Sequence, residues 1–125
     1  MTEYLTLEDL LILVEDLDVG PVGDVGLLDS AAHRPTTQLW GSDAYPSVDE
    51  KAAALIQSLV GNHALVDGNK RLGWLAVVVF YGLNGAELEV PDDDAYAFVI
   101  SIADGSLSEV TDIAAQLQRW SRPVS

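Results

Sequence analysis

Residues 74–81, WLAVVVFY, are apolar on nearly every side of a helix, and a helix of that kind has to be covered by other elements. The β-branched run Val77-Val78-Val79 also suits a buried strand, and periodicity alone does not separate the two. Helix is favoured because the run continues from Lys70-Arg71-Leu72-Gly73 and, from Asn69 onward, places Leu72, Leu75, Ala76, Val79 and Phe80 at helical spacing. A second helix precedes it. Ser47-Val-Asp-Glu50 has the form of a capping box, in which the serine oxygen accepts from the third helical amide and the glutamate reaches back. Ala52, Ala53, Leu55, Ile56, Leu59 and Val60 follow on one face. A chain holding two such helices reads as all-α.

The remaining segments fit a compact bundle of about six helices in one domain, residues 1–125. Thr6 suits an N-cap before Leu7, Leu10, Leu11 and Val14. Gly20, Pro21, Gly23 and Gly26 read as a flexible joint, and Leu27 to His33 as a short helix stopped by Pro35. Residues 36–46, TTQLWGSDAYP, read as an irregular flap with exposed aromatics. Glu87 to Val90 fits a short extended piece. Pro91 suits the first turn of another helix, ended by Asp104-Gly105, and Ser108 suits the cap of a last one reaching about Trp120.

Twenty Asp and Glu against six Lys and Arg give a formal net charge of −14. That balance argues against nucleic acid as a partner, because phosphate backbones are held by a broad basic face. With no cysteine, disulfides, thiolate metal sites and thiol nucleophiles are excluded. The acidic N-terminus lacks the basic region of a signal peptide, and the longest apolar run is far below the ~20 residues that span a bilayer, so no membrane association and a cytoplasmic location are expected. Two of the six basic residues, Lys70 and Arg71, are adjacent. They are either a solvated charge pair or the site of a bound anion.

His63-Ala-Leu-Val-Asp67-Gly68-Asn69-Lys70-Arg71 joins the two helices and is chemically dense. A histidine can accept a proton near neutral pH. An aspartate can hold a hard cation such as Mg2+. Gly68 and Asn69 lie where a helix begins, so free amides and the positive dipole end face any bound phosphate. Taken singly, each residue also suits a structural part: Asp-Gly-Asn is an ordinary turn, Asp67 could cap the next helix, and His63 could be a core histidine. His63 and Asp67 at i and i+4 also suit a metal hydrolase, but no third ligand lies near, Gly68 breaks the helix, and the other histidine, His33, has no ligand-like neighbours.

The segment resembles the Fic/Doc signature, H-x-F-x-D/E-G/A-N-G/K-R, at His63, Asp67, Gly68, Asn69, Lys70 and Arg71. The flanking EKAAALIQSLVGN and the opening YLTLEDLL resemble the Doc, or death-on-curing, branch. The resemblance implies the all-helical Fic core. It implies His63 as the base that deprotonates a target hydroxyl, Asp67 as the Mg2+ ligand, Gly68 and Asn69 as the anion hole, and Lys70 and Arg71 on the nucleotide phosphates. The flap would lie near the target chain. Leu65 stands where the family has a core phenylalanine, and Trp74 where the longer Fic motif has a second arginine. The absence of that arginine, with Lys70 in place of glycine, points to the Doc branch. There the implied activity is transfer of a phosphoryl group from ATP to a protein hydroxyl, the target being a translation elongation factor. Transfer of AMP to a protein hydroxyl is the second reading, and a catalytically silent binding module the third. No Ser or Thr is followed four residues later by Glu, so the S/T-x-x-x-E-G/N inhibitory helix of many Fic enzymes is absent from this sequence. The resemblance therefore implies restraint in trans, by an antitoxin with a segment that folds on binding.

Overall fold

The computed structural model describes residues 1–124. Six helices carry the chain: α1 (Leu7–Leu17), α2 (Val25–His33), α3 (Val48–Gly61), α4 (Asn69–Leu83), α5 (Asp92–Ala103) and α6 (Val110–Trp120). Between α2 and α3 a 3-10 turn (Arg34–Thr36) leads into a hairpin of β1 (Gln38–Leu39) and β2 (Ser42–Asp43), paired antiparallel. β3 (Ala86–Leu88) pairs antiparallel with β4 (Ser121–Pro123), tying the chain after α4 to the chain after α6. The all-α expectation holds, with two small sheets added.

Local chemistry sets the helix ends. Thr6 forms a full capping box with Asp9: the Asp9 amide donates to Thr6 Oγ1 at 3.2 Å, and the Thr6 amide donates to Asp9 Oδ2 at 2.9 Å. At α3 only half of that arrangement forms. The Glu50 amide donates to Ser47 Oγ at 3.0 Å, but the Glu50 carboxylate takes the serine hydroxyl at 3.2 Å instead of the Ser47 amide. Pro91 is the N-cap of α5 rather than its first helical residue. Glu109, not Ser108, precedes α6. The Ser108 carbonyl is instead held by Gln57 Nε2 at 2.6 Å, which draws that residue toward α3 and out of the capping position.

The core is centred on α3 as much as on α4. Along α3, Lys51 to Ile56, Leu59 and Val60 are all buried, because the run Ala52-Ala53-Ala54 lets neighbouring helices approach from several sides. The α4 helix buries Leu72, Gly73, Ala76, Val77, Phe80 and Tyr81 but leaves Val78 and Leu83 exposed. The expectation that α4 is the enclosed central helix is corrected to that extent. The two helices meet most closely at Gly73, where a Cβ would lie 2.7 Å from Val60 Cγ2. Trp74 packs edge-on against Phe98 of α5 and Trp120 of α6, at centroid distances of 6.2 and 6.4 Å. At the far end of α4, the Tyr81 hydroxyl donates to Asp49 Oδ1 at 2.6 Å, and burial with that carboxylate pushes the phenol above its usual range.

The flap is an ordered hairpin. Trp40 and Gly41 both have positive φ, 55° and 80°, as a two-residue turn matched to strand twist requires. Its base is held by two cations. Lys51, wholly buried, donates to Asp43 Oδ2 at 3.0 Å and to the carbonyls of Tyr45 and Pro46. Arg34 donates to Tyr45 Oη at 3.1 Å and Ser58 Oγ at 3.1 Å. Trp40 at the tip is fully exposed.

Candidate active site

The loop from α3 to α4 and the first turn of α4 carry the six residues singled out from the sequence, and all six line one cavity of about 830 Å3. The α3 helix ends at Asn62, whose side-chain amide donates to the Leu27 carbonyl at 3.0 Å. His63 then takes φ 56°, a left-handed conformation that few non-glycine residues adopt. Held backbone of this kind concentrates at functional sites. Ala64 and Leu65 turn inward and are buried. Leu65 thus fills the core position that the sequence resemblance assigns to a phenylalanine.

Asp67 follows, exposed, with no hydrogen-bond or ion-pair partner for its carboxylate among the described residues. Gly68, at φ 94°, precedes the first turn of α4 and makes no side-chain cap. The amides of Asn69, Lys70 and Arg71 occupy the first helical positions, where no intrahelical acceptor exists, and the Leu72 amide is the first to bond back, to Gly68 O at 2.9 Å. Asp67 does not cap the helix, which leaves those donors free for an anion. The Lys70 and Arg71 side chains are exposed and unpaired among the described residues. The other four cations are all engaged: Arg34 and Lys51 under the hairpin, Arg119 with Gln116, and Arg122 with Glu89 at 3.8 Å. In a chain of net charge −14, the free positive charge is gathered at one helix end.

The Asn69 side chain is committed elsewhere. Its Oδ1 accepts from the Leu65 amide at 3.0 Å and its Nδ2 donates to the Leu65 carbonyl at 2.9 Å. Its main-chain amide, at the first position of α4, is the group it leaves free toward the cavity.

Sequence reading missed the rest of the cavity. Leu17 of α1, Trp74 and Leu75 of α4, and Tyr96, Val99 and Ile100 of α5 form its apolar wall. Nothing local to those residues marks them as wall rather than core. It missed the support of the loop as well. The Gly- and Pro-rich segment read as a flexible joint is paired with the loop: Val22 bridges Leu65 in antiparallel fashion. Glycine and proline there serve close backbone approach, not slack.

Among the described residues no cluster of three or more His, Cys, Asp or Glu could hold a metal by itself. A lone carboxylate beside an anion hole does suit Mg2+, which keeps several waters and takes one or two carboxylates together with phosphate oxygens.

A mostly helical domain thus presents an imidazole, an unpaired carboxylate and three free helix-end amides to one cavity. The chain belongs to the Fic/Doc family: residues 3–81 match the family model described as Fic/DOC family. A curated relative, Toxin Doc of Mycolicibacterium smegmatis, is 50% identical over 95 residues, covering 74% of this chain and 73% of that protein. The match to the family model takes in the whole loop and most of α4. It ends before α5, which supplies the outer wall of the cavity.

Proposed function

We propose that this protein is the toxin of a toxin–antitoxin pair and a protein kinase of the Doc kind, placing the γ-phosphate of ATP on a hydroxyl of a protein target. By family resemblance that target is a translation elongation factor. The observation that carries the reading is the unpaired Lys70 and Arg71, with three free amides, in the cavity shared by His63 and Asp67. The name of the relative supports the toxin assignment.

In this mechanism the target hydroxyl oxygen attacks the γ-phosphorus, and an imidazole nitrogen of His63 takes the hydroxyl proton. The bond from the γ-phosphorus to the β–γ bridging oxygen breaks, and ADP leaves with the electron pair. The amides of α4, with Lys70 and Arg71, neutralise the phosphoryl oxygens as charge shifts among them. Asp67 would hold Mg2+, which supplies charge neutralisation across the phosphates. The apolar wall at Leu17, Trp74 and Val99 limits the water that could make the competing attack.

AMP transfer from the same site is the second reading. It is disfavoured by Trp74, which stands where the resemblance places a second phosphate-binding arginine and whose ring is committed to Phe98 and Trp120. Incubation with the target and ATP labelled at either the α- or the γ-phosphate separates the two. Label from the γ position is expected on protein; label from the α position overturns the kinase reading. No label from either, in a protein that still binds its antitoxin, would favour a silent binding module.

A further inference from the structure

The connection between α1 and α2 lies along the loop that carries His63 and Asp67. Four main-chain hydrogen bonds join them. The Gly20 amide donates to the Asp67 carbonyl at 2.9 Å, and the Val66 amide to the Pro21 carbonyl at 2.9 Å. The Gly23 and Asp24 amides both donate to the Ala64 carbonyl, at 2.8 and 3.0 Å. The Val19 side chain covers Gly68 so closely that a Cβ there would lie 2.4 Å from Val19 Cβ. Within the loop, the Asn69 carboxamide closes a two-bond ring on the Leu65 main chain. The loop is thus clamped by two side chains, Val19 over Gly68 and Asn69 on Leu65, neither assigned a positioning part by the sequence.

We propose that Val19 and Asn69 are positioning residues of the transfer site, acting on His63 and Asp67 through Leu65–Gly68 and not through side-chain contact with the nucleotide. The proposal rests on the reading of this site as a nucleotide-dependent transferase. Its physical basis is the conformation of the loop. His63 and Gly68 sit at φ 56° and 94°, and left-handed backbone persists where the surroundings over-determine it. The phosphate-binding parts, by contrast, belong to α4 itself. The free amides, Lys70 and Arg71 remain in place if the clamp loosens. Base and carboxylate would then drift while the anion hole stays, and a misplacement of ~1 Å in such a site costs about 10²-fold in rate. Turnover falls, and affinity for Mg2+-free nucleotide, held by the α4 amides, changes little.

The test uses Asn69→Ala, Val19→Ala and Val19→Ile in the full chain, with three readouts: titration with ATP in the absence of Mg2+, single-turnover transfer and amide hydrogen exchange without nucleotide. In the two alanine variants the Gly20, Gly23 and Val66 amides should exchange faster while α3 and α6 keep their protection. Transfer should fall about 30-fold or more, with affinity for Mg2+-free ATP within about 5-fold of the parent. Val19→Ile, which keeps Gly68 covered, should restore both exchange and rate. An Asn69→Ala protein that loses nucleotide affinity in step with rate, with unchanged exchange, would make Asn69 a direct phosphate ligand and overturn the proposal. Faster exchange throughout the protein would reduce both residues to general stability and overturn it as well. Should the parent transfer nothing from ATP, the proposed function fails by itself. The exchange and titration arms then still decide whether the clamp holds the loop.

Discussion

His63 is exposed and held in a left-handed conformation at the end of a buried helix, so its side chain contributes chemistry with little packing. His63→Ala is therefore expected to unfold at nearly the temperature of the parent, with a stability change of about 0.5 kcal/mol or less. Removal of a general base lowers transfer by ~10²–10⁴-fold. Phosphorylation of the target, measured beside thermal unfolding of the same sample, checks both halves, and undiminished transfer would remove the base assignment. Asp67 makes a different prediction. Its carboxylate has no protein partner to lose, so Asp67→Ala should leave stability alone and weaken Mg–ATP binding, while Mg2+-free ATP binds as before to the α4 amides. Calorimetric titration with and without Mg2+ separates these, and equal Mg–ATP affinity in parent and variant contradicts a metal role. The same six residues were legible in the sequence because a base, a carboxylate, a glycine and two cations fall in nine consecutive positions. The commitment of the Asn69 side chain to Leu65 was not legible, since a side chain four residues from its partner can bond to backbone or to ligand with equal ease.

At the scale of elements, the contact between α3 and α4 depends on the missing side chain at Gly73. Gly73→Ala places a methyl 2.7 Å from Val60 Cγ2, and over-packing of this kind costs about 1–3 kcal/mol. The variant should melt at a lower temperature, and Val60→Ala in the same chain should recover part of the loss; no difference in melting would show that the helices have room to part. The hairpin is tied to α3 through electrostatics. Asp43 is held below its ordinary carboxyl pKa of 3.8, first by the hydrogen bond from Lys51, then by Gln38 and by the Lys51 charge. A depressed acid contributes fully above its unfolded pKa and is lost as pH falls through the lowered folded value. The hairpin base should stay attached down to about pH 4 and loosen only below it, seen as shifts of the amide resonances of residues 38–44. Lys51→Met should show the loosened spectrum already at neutral pH, and identical spectra for parent and variant would discount the tie. Helix periods were readable along α1, α3 and α4. The hairpin, the pairing of β3 with β4 and the brace of residues 19–24 against 64–67 were not. Each joins short segments far apart in sequence, or rests on turn geometry that a two-residue strand scarcely marks. Lys51 looked like any lysine in the first turns of a helix, although the apolar residues that follow it on every side foreshadowed its burial.

For the whole molecule, charge is the dominant property. Twenty acidic residues face six basic ones, and four of the six are engaged by the protein itself, among them the buried Lys51. A surface so one-sided in sign sets the kinds of partner that approach fast. If the protein is a toxin restrained in trans, its antitoxin segment meets a surface of net negative charge, with unpaired Lys70 and Arg71 at the start of α4. Such a segment gains in encounter rate by carrying Lys and Arg, since complementary fields raise association from ~10⁵–10⁶ toward ~10⁸–10⁹ M⁻¹s⁻¹ at low ionic strength. A segment that is disordered alone adds reach, and it can be removed by proteolysis before it folds. No Ser or Thr of the sequence has Glu four residues later, which agrees with the proposed restraint in trans. Stopped-flow mixing of toxin and antitoxin across a series of salt concentrations should show the association rate falling steeply as the Debye length shrinks from ~30 Å at 0.01 M to ~3 Å at 1 M. The dissociation rate, governed by contacts already formed, should change far less. An association rate flat across that range would show that the charge plays no part in partner capture. Normal growth of cells expressing the chain alone, with no complex recovered on co-expression with the product of its neighbouring gene, would remove the antitoxin itself from the account.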